Sequence, residues 1–300
     1  MAENRRQDRL VVGASYVVLA SAAFAAMGVC IKIASQSLNN EMIVFLRNVF
    51  GLLFLGPWLW QRGVSIKTQR FGMHLFRSVV GLSAMYCFFY TIPRLNLAEA
   101  VLLNYSIPLF TPLVAWLLMK ETTDKFTGLA IVIGFMGIVL ILQPGTPKWS
   151  IASLTGVSAG VLAAVALTSI RAMANTEPPA RIVFWFAVIS IAISAIPAYL
   201  SWAPLSQDLW LLMLITGLFA TCGQLLISKG FQQANAPQVS LFTYSAPVWA
   251  GLFAALLWGE IPDQWSIAGM LVVTLAGIAV SVHSQVTRTR RSRGRVRGRS

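Results

Sequence analysis

The chain has 300 residues, of which 57% are hydrophobic and only 11% are Asp, Glu, Lys or Arg, against roughly 45–50% and about 25% in soluble domains. This excludes an ordinary soluble fold and leaves an integral membrane protein, in which ten spans of about 20 residues with short connectors would use the whole length. The formal net charge of +13 is concentrated at the ends: Arg288, Arg290, Arg291, Arg293, Arg295, Arg297 and Arg299 lie in one terminal run with Gly and Ser, read as a solvated tail that touches anionic lipid, with RNA binding the weaker alternative and no nucleic-acid partner expected.

Spans are read at residues 10–34, 42–60, 71–92, 97–119, 126–143, 151–172, 182–201, 209–230, 239–258 and 265–284. They must be helices, because backbone groups in hydrocarbon have to be satisfied within the segment and runs this apolar do not fit barrel strands. Arginines before the first run, with Ala20, Ser21 and Ala22 inside it, imitate a cleaved signal peptide. The apolar run continues past them to Ile33, which is too long for that reading. Lys32 ends this span and can snorkel to the interface. In the second span Arg47 lies about six residues inside, roughly 9 Å along the axis at about 1.5 Å per residue. It is either a carboxylate anchor, since guanidinium binds carboxylates bidentately, or a partner of Glu41 or Glu99. Arg77, six residues into the third span, is either a second such group or a snorkelling side chain.

The fourth span opens with Glu99 one turn before Asn104 and Tyr105. If buried, its carboxyl would have a raised pKa and could couple protons; the alternative is a carboxylate favoured by a helix N-terminus. Tyr105 offers an apolar ring and one hydroxyl, suited to a cavity wall, and Pro108 removes a backbone donor and allows a bend, a hinge at the depth of a substrate. Glu121 and Glu260 follow the ends of corresponding spans and read as scaffold carboxylates. In the sixth span Gly156 and Gly160 fit close helix approach, and Arg171 ends it as a topology signal. Gln224, beside Thr221 and Cys222 in the eighth, is a further polar cavity candidate. Tyr244 and Pro247 repeat the Tyr–Pro pair in the ninth. Cys30, Cys87 and Cys222 lie inside apolar stretches with no metal or disulfide spacing.

With the N-terminus inside, the inner segments hold 18 of the 23 basic residues, the outer loops only Arg94 and Lys148, and the spans Lys32, Arg47 and Arg77. Both termini are therefore predicted to be cytoplasmic.

At an offset of 139 residues, Tyr105, Ser106, Pro108, Leu113, Ala115, Leu117, Leu118, Glu121 and Asp124 recur as Tyr244, Ser245, Pro247, Leu252, Ala254, Leu256, Leu257, Glu260 and Asp263. The same offset sets Lys32 on Arg171. Two halves of five spans each enter the membrane in opposite senses, the inverted repeat of many secondary transporters, with substrate at the repeat interface. The division is 1–9 as a basic segment, 10–143 as the first half (spans one to five), 144–284 as the second and 285–300 as the tail.

The Tyr-Ser-x-Pro helix, the Lys120-Glu121 and Gly259-Glu260 ends, and the glycines Gly128, Gly134 and Gly137, with Gly269 and Gly277 in the second copy, resemble the EamA family of the drug/metabolite transporter superfamily. The resemblance covers nearly the whole chain outside the basic ends. It implies a multi-pass bacterial inner-membrane exporter with a cavity lined by the first, third, fourth, sixth, eighth and ninth spans. Asn104, Tyr105, Gln224 and Tyr244 would contact substrate there. Dimers occur among relatives, so a homodimer is allowed, although no heptad or exposed polar stripe argues for one.

No GxxxxGK[ST], HExxH or CxxC occurs, and there are only two histidines, His74 and His283, so an ATP-driven pump, a metalloprotease and acid–base enzymology lack their parts. No cofactor and no metal is expected. Three intramembrane basic residues against few acids favour a carboxylate-bearing metabolite, amino-acid-like or opine-metallophore-like. Drug efflux, metabolite uptake, a channel or accessory subunit, and a membrane enzyme on a lipid-linked substrate are the alternatives.

Overall fold

The structure, a computed structural model, describes residues 2–61, 63, 65–120, 124–146, 149–173, 176–233 and 241–297. Arg62, Glu121, Lys148 and Arg299 lie outside the described residues, as do the side chains of Arg171 and of the basic residues in both termini.

The chain folds into α1 (Ala2–Ala34), α2 (Asn40–Gln61), α3 (Phe71–Thr91), α4 (Leu97–Tyr105), α5 (Ile107–Met119), α6 (Lys125–Leu142), α7 (Ile151–Met173), α8 (Pro179–Leu200), α9 (Gln207–Gln233), a 3-10 turn (Leu241–Tyr244), α10 (Ser245–Trp258) and α11 (Gln264–Arg297), with no strand among the described residues. Helices α1 and α11 extend into the basic ends, which contain good helix formers such as Arg and Gln. Nine helical stretches among the described residues are long and apolar enough to cross a membrane. The remaining expected span, α3, carries His74 and Arg77 and falls outside that set.

The 139-residue offset reappears in the helix boundaries. Asn40 and Pro179 start α2 and α8, Gln61 and Leu200 end them, and Lys125 and Gln264 start α6 and α11. The local chemistry repeats with it. Asp124 caps α6, accepting from the Thr127 amide, and Asp263 accepts from the Ser266 amide at the start of α11. Lys120 (φ 52°) and Gly259 (φ 66°) end α5 and α10 in the left-handed region, a conformation that satisfies terminal carbonyls and that glycine adopts freely. In both copies an α-helix starts just after the tyrosine, α5 at Ile107 beyond the break at Ser106 and α10 at Ser245 beyond the 3-10 turn. Pro108 and Pro247 stand in the first turn of the helix that starts there, where a missing amide costs no intrahelical bond.

The principal helix contacts run between the halves: α1 with α9 and α10, α3 with α7 and α8, α2 with α8 and α9, α4 with α7 and α10, α5 with α7, and α6 with α11. Exchanging the halves maps this set onto itself. Small residues allow the close approaches. A methyl on Gly137 would meet the Gly269 carbonyl at 2.9 Å, and one on Gly160 would meet the Leu103 carbonyl at 2.7 Å. Two buried cores result. The larger includes Ile31, Met42, Ile92, Leu97 and Ala250, and the smaller includes Leu109, Ile138, Ala164 and Val273.

Each end of the bundle is tied across the halves by polar contacts. At one, Lys32 binds Glu260, Gln143 donates to Asp263 at 2.9 and 3.0 Å, and Asn39 donates to the Ser201 carbonyl at 2.7 Å. At the other, Glu177 accepts from Thr68 at 2.6 Å and Arg181 at 2.9 Å and lies 3.5 Å from His74 Nε2. His283 Nε2 there meets Asp124 at 2.8 Å and stacks near Phe126.

Candidate functional site

A cavity of about 310 Å³ lies between the halves. Helix α1 supplies Phe24 and Met27, α2 Arg47, α3 Arg77 and Phe88, α4 Asn104 and Tyr105, α7 Leu167 and Ile170, α8 Phe186, α9 Gln224 and α10 Ala246. Thus Arg47, Arg77, Asn104, Tyr105 and Gln224, singled out from sequence on four different segments, line one space. The wall also takes in α2 and α8, which the expected set of lining spans omitted.

The arginines are held differently. Arg47 Nη1 donates to Asn48 Oδ1 at 3.0 Å, and Asn48, itself buried, donates to the Val44 carbonyl and to Met85 Sδ. Arg77 places its guanidinium 3.8 Å from the centre of the Phe186 ring. Its Nη1 runs along α3 toward Gly81, where a methyl group would sit 2.8 Å from it and 3.1 Å from Phe186. Side chains on a helix normally lean toward its N-terminus. This one instead extends one turn further into the bundle, so it does not snorkel back to the headgroups. Arg47 Nε and Arg77 Nε and Nη1 are buried with no hydrogen-bond partner among the described residues, and no Asp or Glu lines the cavity. An unpaired buried charge is costly by several kcal/mol. The cavity therefore presents two cations that lack an anion.

Tyr244 does not join this site. It is buried against α11, its hydroxyl filling the place where a side chain at Gly277 would begin. The residue 139 positions earlier than Gly277 is Ile138, which is buried and leaves no such hole for Tyr105. One glycine-for-isoleucine difference thus sends the two equivalent tyrosines to different neighbours.

Glu99 also lies elsewhere, buried in a wider pocket of about 1000 Å³ at the Lys32 end, with Lys32, Arg94, Asn96, Glu260 and Asp263. Glu260, expected as a scaffold carboxylate, holds Lys32, whose ammonium also lies 4.9 Å from the Trp258 ring; Lys32 is therefore buried and does not snorkel. Pro108 and Pro247 sit in the first turns of α5 and α10. Among the described residues no group of His, Cys, Asp and Glu could hold a metal ion. Asn48, Gly81 and Phe186 escaped the sequence reading because each resembles ordinary helix packing; a buried Asn next to an intramembrane Arg was the one available signal.

The profile of the EamA-like transporter family matches residues 11–143 and again 150–282. The chain is 30% identical over 279 residues to the pseudopaline exporter CntI of Pseudomonas aeruginosa, covering 91% of this chain and 97% of that one. It is 25% identical over 277 residues to the riboflavin transporter of Vibrio cholerae, covering 89% and 92%. With human solute carrier family 35 member G1 it shares 25% over 290 residues, covering 90% and 79%. A solved crystal structure superposes with a TM-score of 0.64 at 17% identity, covering 94% of this chain and 99% of that one, which shows the fold alone.

Proposed function

Because the chain belongs to the EamA-like transporter family, and is therefore a multi-pass membrane transporter and not an enzyme, we propose that it exports a small carboxylate-bearing metabolite across a bacterial inner membrane by alternating access. The observation that carries this reading is the cavity between the halves with Arg47 and Arg77 in its wall and no anion to match them. A carboxylate supplies the missing partner for a guanidinium. A relative at 30% identity bears the name of an exporter, which supports the direction.

The ten spans are α1, α2, α3, α4 with α5, and α6, followed by α7, α8, α9, the 3-10 turn with α10, and α11. Five spans per half invert the second half relative to the first. The exchangeable contact set supports this, as does the pairing of segments: the cross-half polar ties at Lys32, Gln143 and Thr68 each join two segments that this topology puts on the same side. The basic-residue asymmetry makes the termini cytoplasmic, the Lys32 end periplasmic and the His74 end cytoplasmic. Buried Ile31, Ile92, Leu97, Ala250 and Ala254 fill the bundle toward the Lys32 end, which supports a conformation closed toward the periplasm. Glu99 lies on that side of the plug and is the candidate for proton coupling.

Small molecules inside and outside cells lacking or overproducing the protein, compared by mass spectrometry, test the reading. A carboxylate that is retained without the protein and released with it, and that Arg47→Ala retains again, is the expected result. Arg47→Ala with undiminished release of every carboxylate would refute it. Release that persists in Glu99→Gln but no longer responds to the proton gradient would assign the coupling.

A further inference from the structure

Taking the cavity as the transport site, we propose that it selects net anions: molecules with two anionic groups on an apolar or aromatic body, one held by each arginine, in preference to zwitterionic amino acids and organic cations.

The charge inventory of the wall carries the argument. Among the described residues it holds two guanidinium groups and no carboxylate, and its other polar groups are the neutral Asn104, Tyr105 and Gln224. The ammonium of a zwitterion would find only amide and hydroxyl oxygens, beside two fixed positive charges. Like charge in a desolvated site is a repulsive element and discriminates strongly. One carboxylate would leave the second arginine unmatched, whereas two satisfy both.

Two other cations among the described residues have been matched internally by acids. Lys32 has Glu260, and Arg181 has Glu177 and the Ser65 carbonyl. The acids at the bundle ends are correspondingly engaged: Glu177 accepts from Thr68 and Arg181, and Asp124 from Thr127 and His283. The cavity pair differs in keeping donors, Arg47 Nε and Arg77 Nε and Nη1, positioned and without a partner among the described residues. Asn48 orients Arg47, and the Phe186 face with the bare backbone at Gly81 orients Arg77. A ring against one face of a guanidinium leaves its N–H edge available to an oxyanion. Fixing the donors beforehand lowers the ordering cost of binding. The apolar part of the substrate follows from Phe24, Met27, Met85 and Phe88, which a compact inorganic dianion would leave against water.

Isothermal titration of the full-length protein in lipid nanodiscs with phthalate, benzoate, phenylalanine and benzyltrimethylammonium tests this. Phthalate is expected to bind most tightly, and Arg47→Gln and Arg77→Gln each to weaken it about 10- to 100-fold, the range for losing a charged hydrogen-bonded partner. Arg47→Lys and Arg77→Lys should fall between, since they keep the charge and lose the fork. Thermal unfolding without ligand confirms that each variant folds. Phenylalanine or the cation binding as tightly as phthalate, in a manner that Arg77→Gln or Tyr105→Phe weakens, overturns charge selection while leaving the cavity as the transport site. Phthalate binding unaffected in both Gln variants, or no binding by any probe, overturns the proposal together with the reading on which it rests.

Discussion

Lys32 Nζ stands 2.6 Å from Oε1 and 2.5 Å from Oε2 of Glu260, joining the last turn of α1 in the first half to the end of α10 in the second. The ammonium is buried and the carboxylate one-third exposed, so the pair is partly shielded from screening and stronger than an ordinary surface bridge. Of the Lys32, Gln143 and Asn39 ties at this end of the bundle, this is the ion pair, so its removal should let the end open more readily. Cys30, buried two residues before Lys32, reports this. With Cys87 and Cys222 replaced, maleimide labelling of Cys30 should be slow, should accelerate several-fold in Lys32→Gln, and should slow again in the swapped pair Lys32→Glu with Glu260→Lys. Equal labelling rates in all three would show that the pair does not hold this end.

The equivalent tyrosines should differ in effect. Tyr105→Phe removes a hydroxyl from the cavity wall and should raise KM several-fold with stability kept. The Tyr244 hydroxyl is buried and has no partner among the described residues, so Tyr244→Phe should leave transport unchanged and stability equal or higher. Gly277→Ala would drive a methyl into that hydroxyl and cost about 1–3 kcal/mol by overpacking, visible as a lower Tm. If Tyr244→Phe alters KM as much as Tyr105→Phe, the two rings share the site after all.

Gly81 holds open the place of Arg77. Gly81→Ala would crowd Nη1 and the Phe186 edge together, and both can give by a few tenths of an ångström. The expected outcome is a KM raised a few-fold with Tm nearly unchanged, and Gly81→Val should be worse. Transport kinetics in proteoliposomes decide it; an unchanged KM in Gly81→Val would mean that the arginine's position is unimportant.

Acid should loosen the tie at Glu177. Burial pushes the Glu177 carboxyl up, but the Thr68 hydroxyl, Arg181 and His74 outweigh it and hold it below the ordinary carboxylate value. A carboxyl depressed in the folded state contributes stability above its unfolded pKa of about 4.3, lost as pH falls through the folded value. Asp124, held low chiefly by the Thr127 hydroxyl, adds a loss of the same sign below its own unfolded pKa of about 3.9. Thermal unfolding between neutral pH and about pH 3 should therefore show a steeper acid loss in the wild type than in Glu177→Gln. Parallel curves would mean that Glu177 titrates unperturbed.

The left-handed Lys120 is a repairable strain. Gly259, its counterpart, adopts this conformation without a Cβ, whereas Lys120 incurs about 1 kcal/mol. Lys120→Gly should raise Tm slightly, and a fall would place another constraint on that turn.

Much of this was legible in the residues because it depends on local chemistry. Hydropathy determined an all-helical membrane protein, since a bilayer admits no unsatisfied backbone, and the recurrence of Tyr-Ser-x-Pro, Glu and Asp at one offset marked where helices break and are capped. The cost of burying charge singled out Arg47 and Arg77 before any packing was known. Tertiary structure alone decided direction and partnership. A sequence shows that Arg77 lies in a span, but whether it bends back to headgroups or forward to Gly81 depends on Phe186, which is more than a hundred residues away. Likewise Glu260 reads as a turn residue until α10 is packed on α1 beside Lys32. The tyrosines read alike in sequence because an internal repeat conserves backbone position. Their neighbours, Ile138 and Gly277, are not alike, and in a close-packed interior the space left by the neighbour decides where a side chain goes.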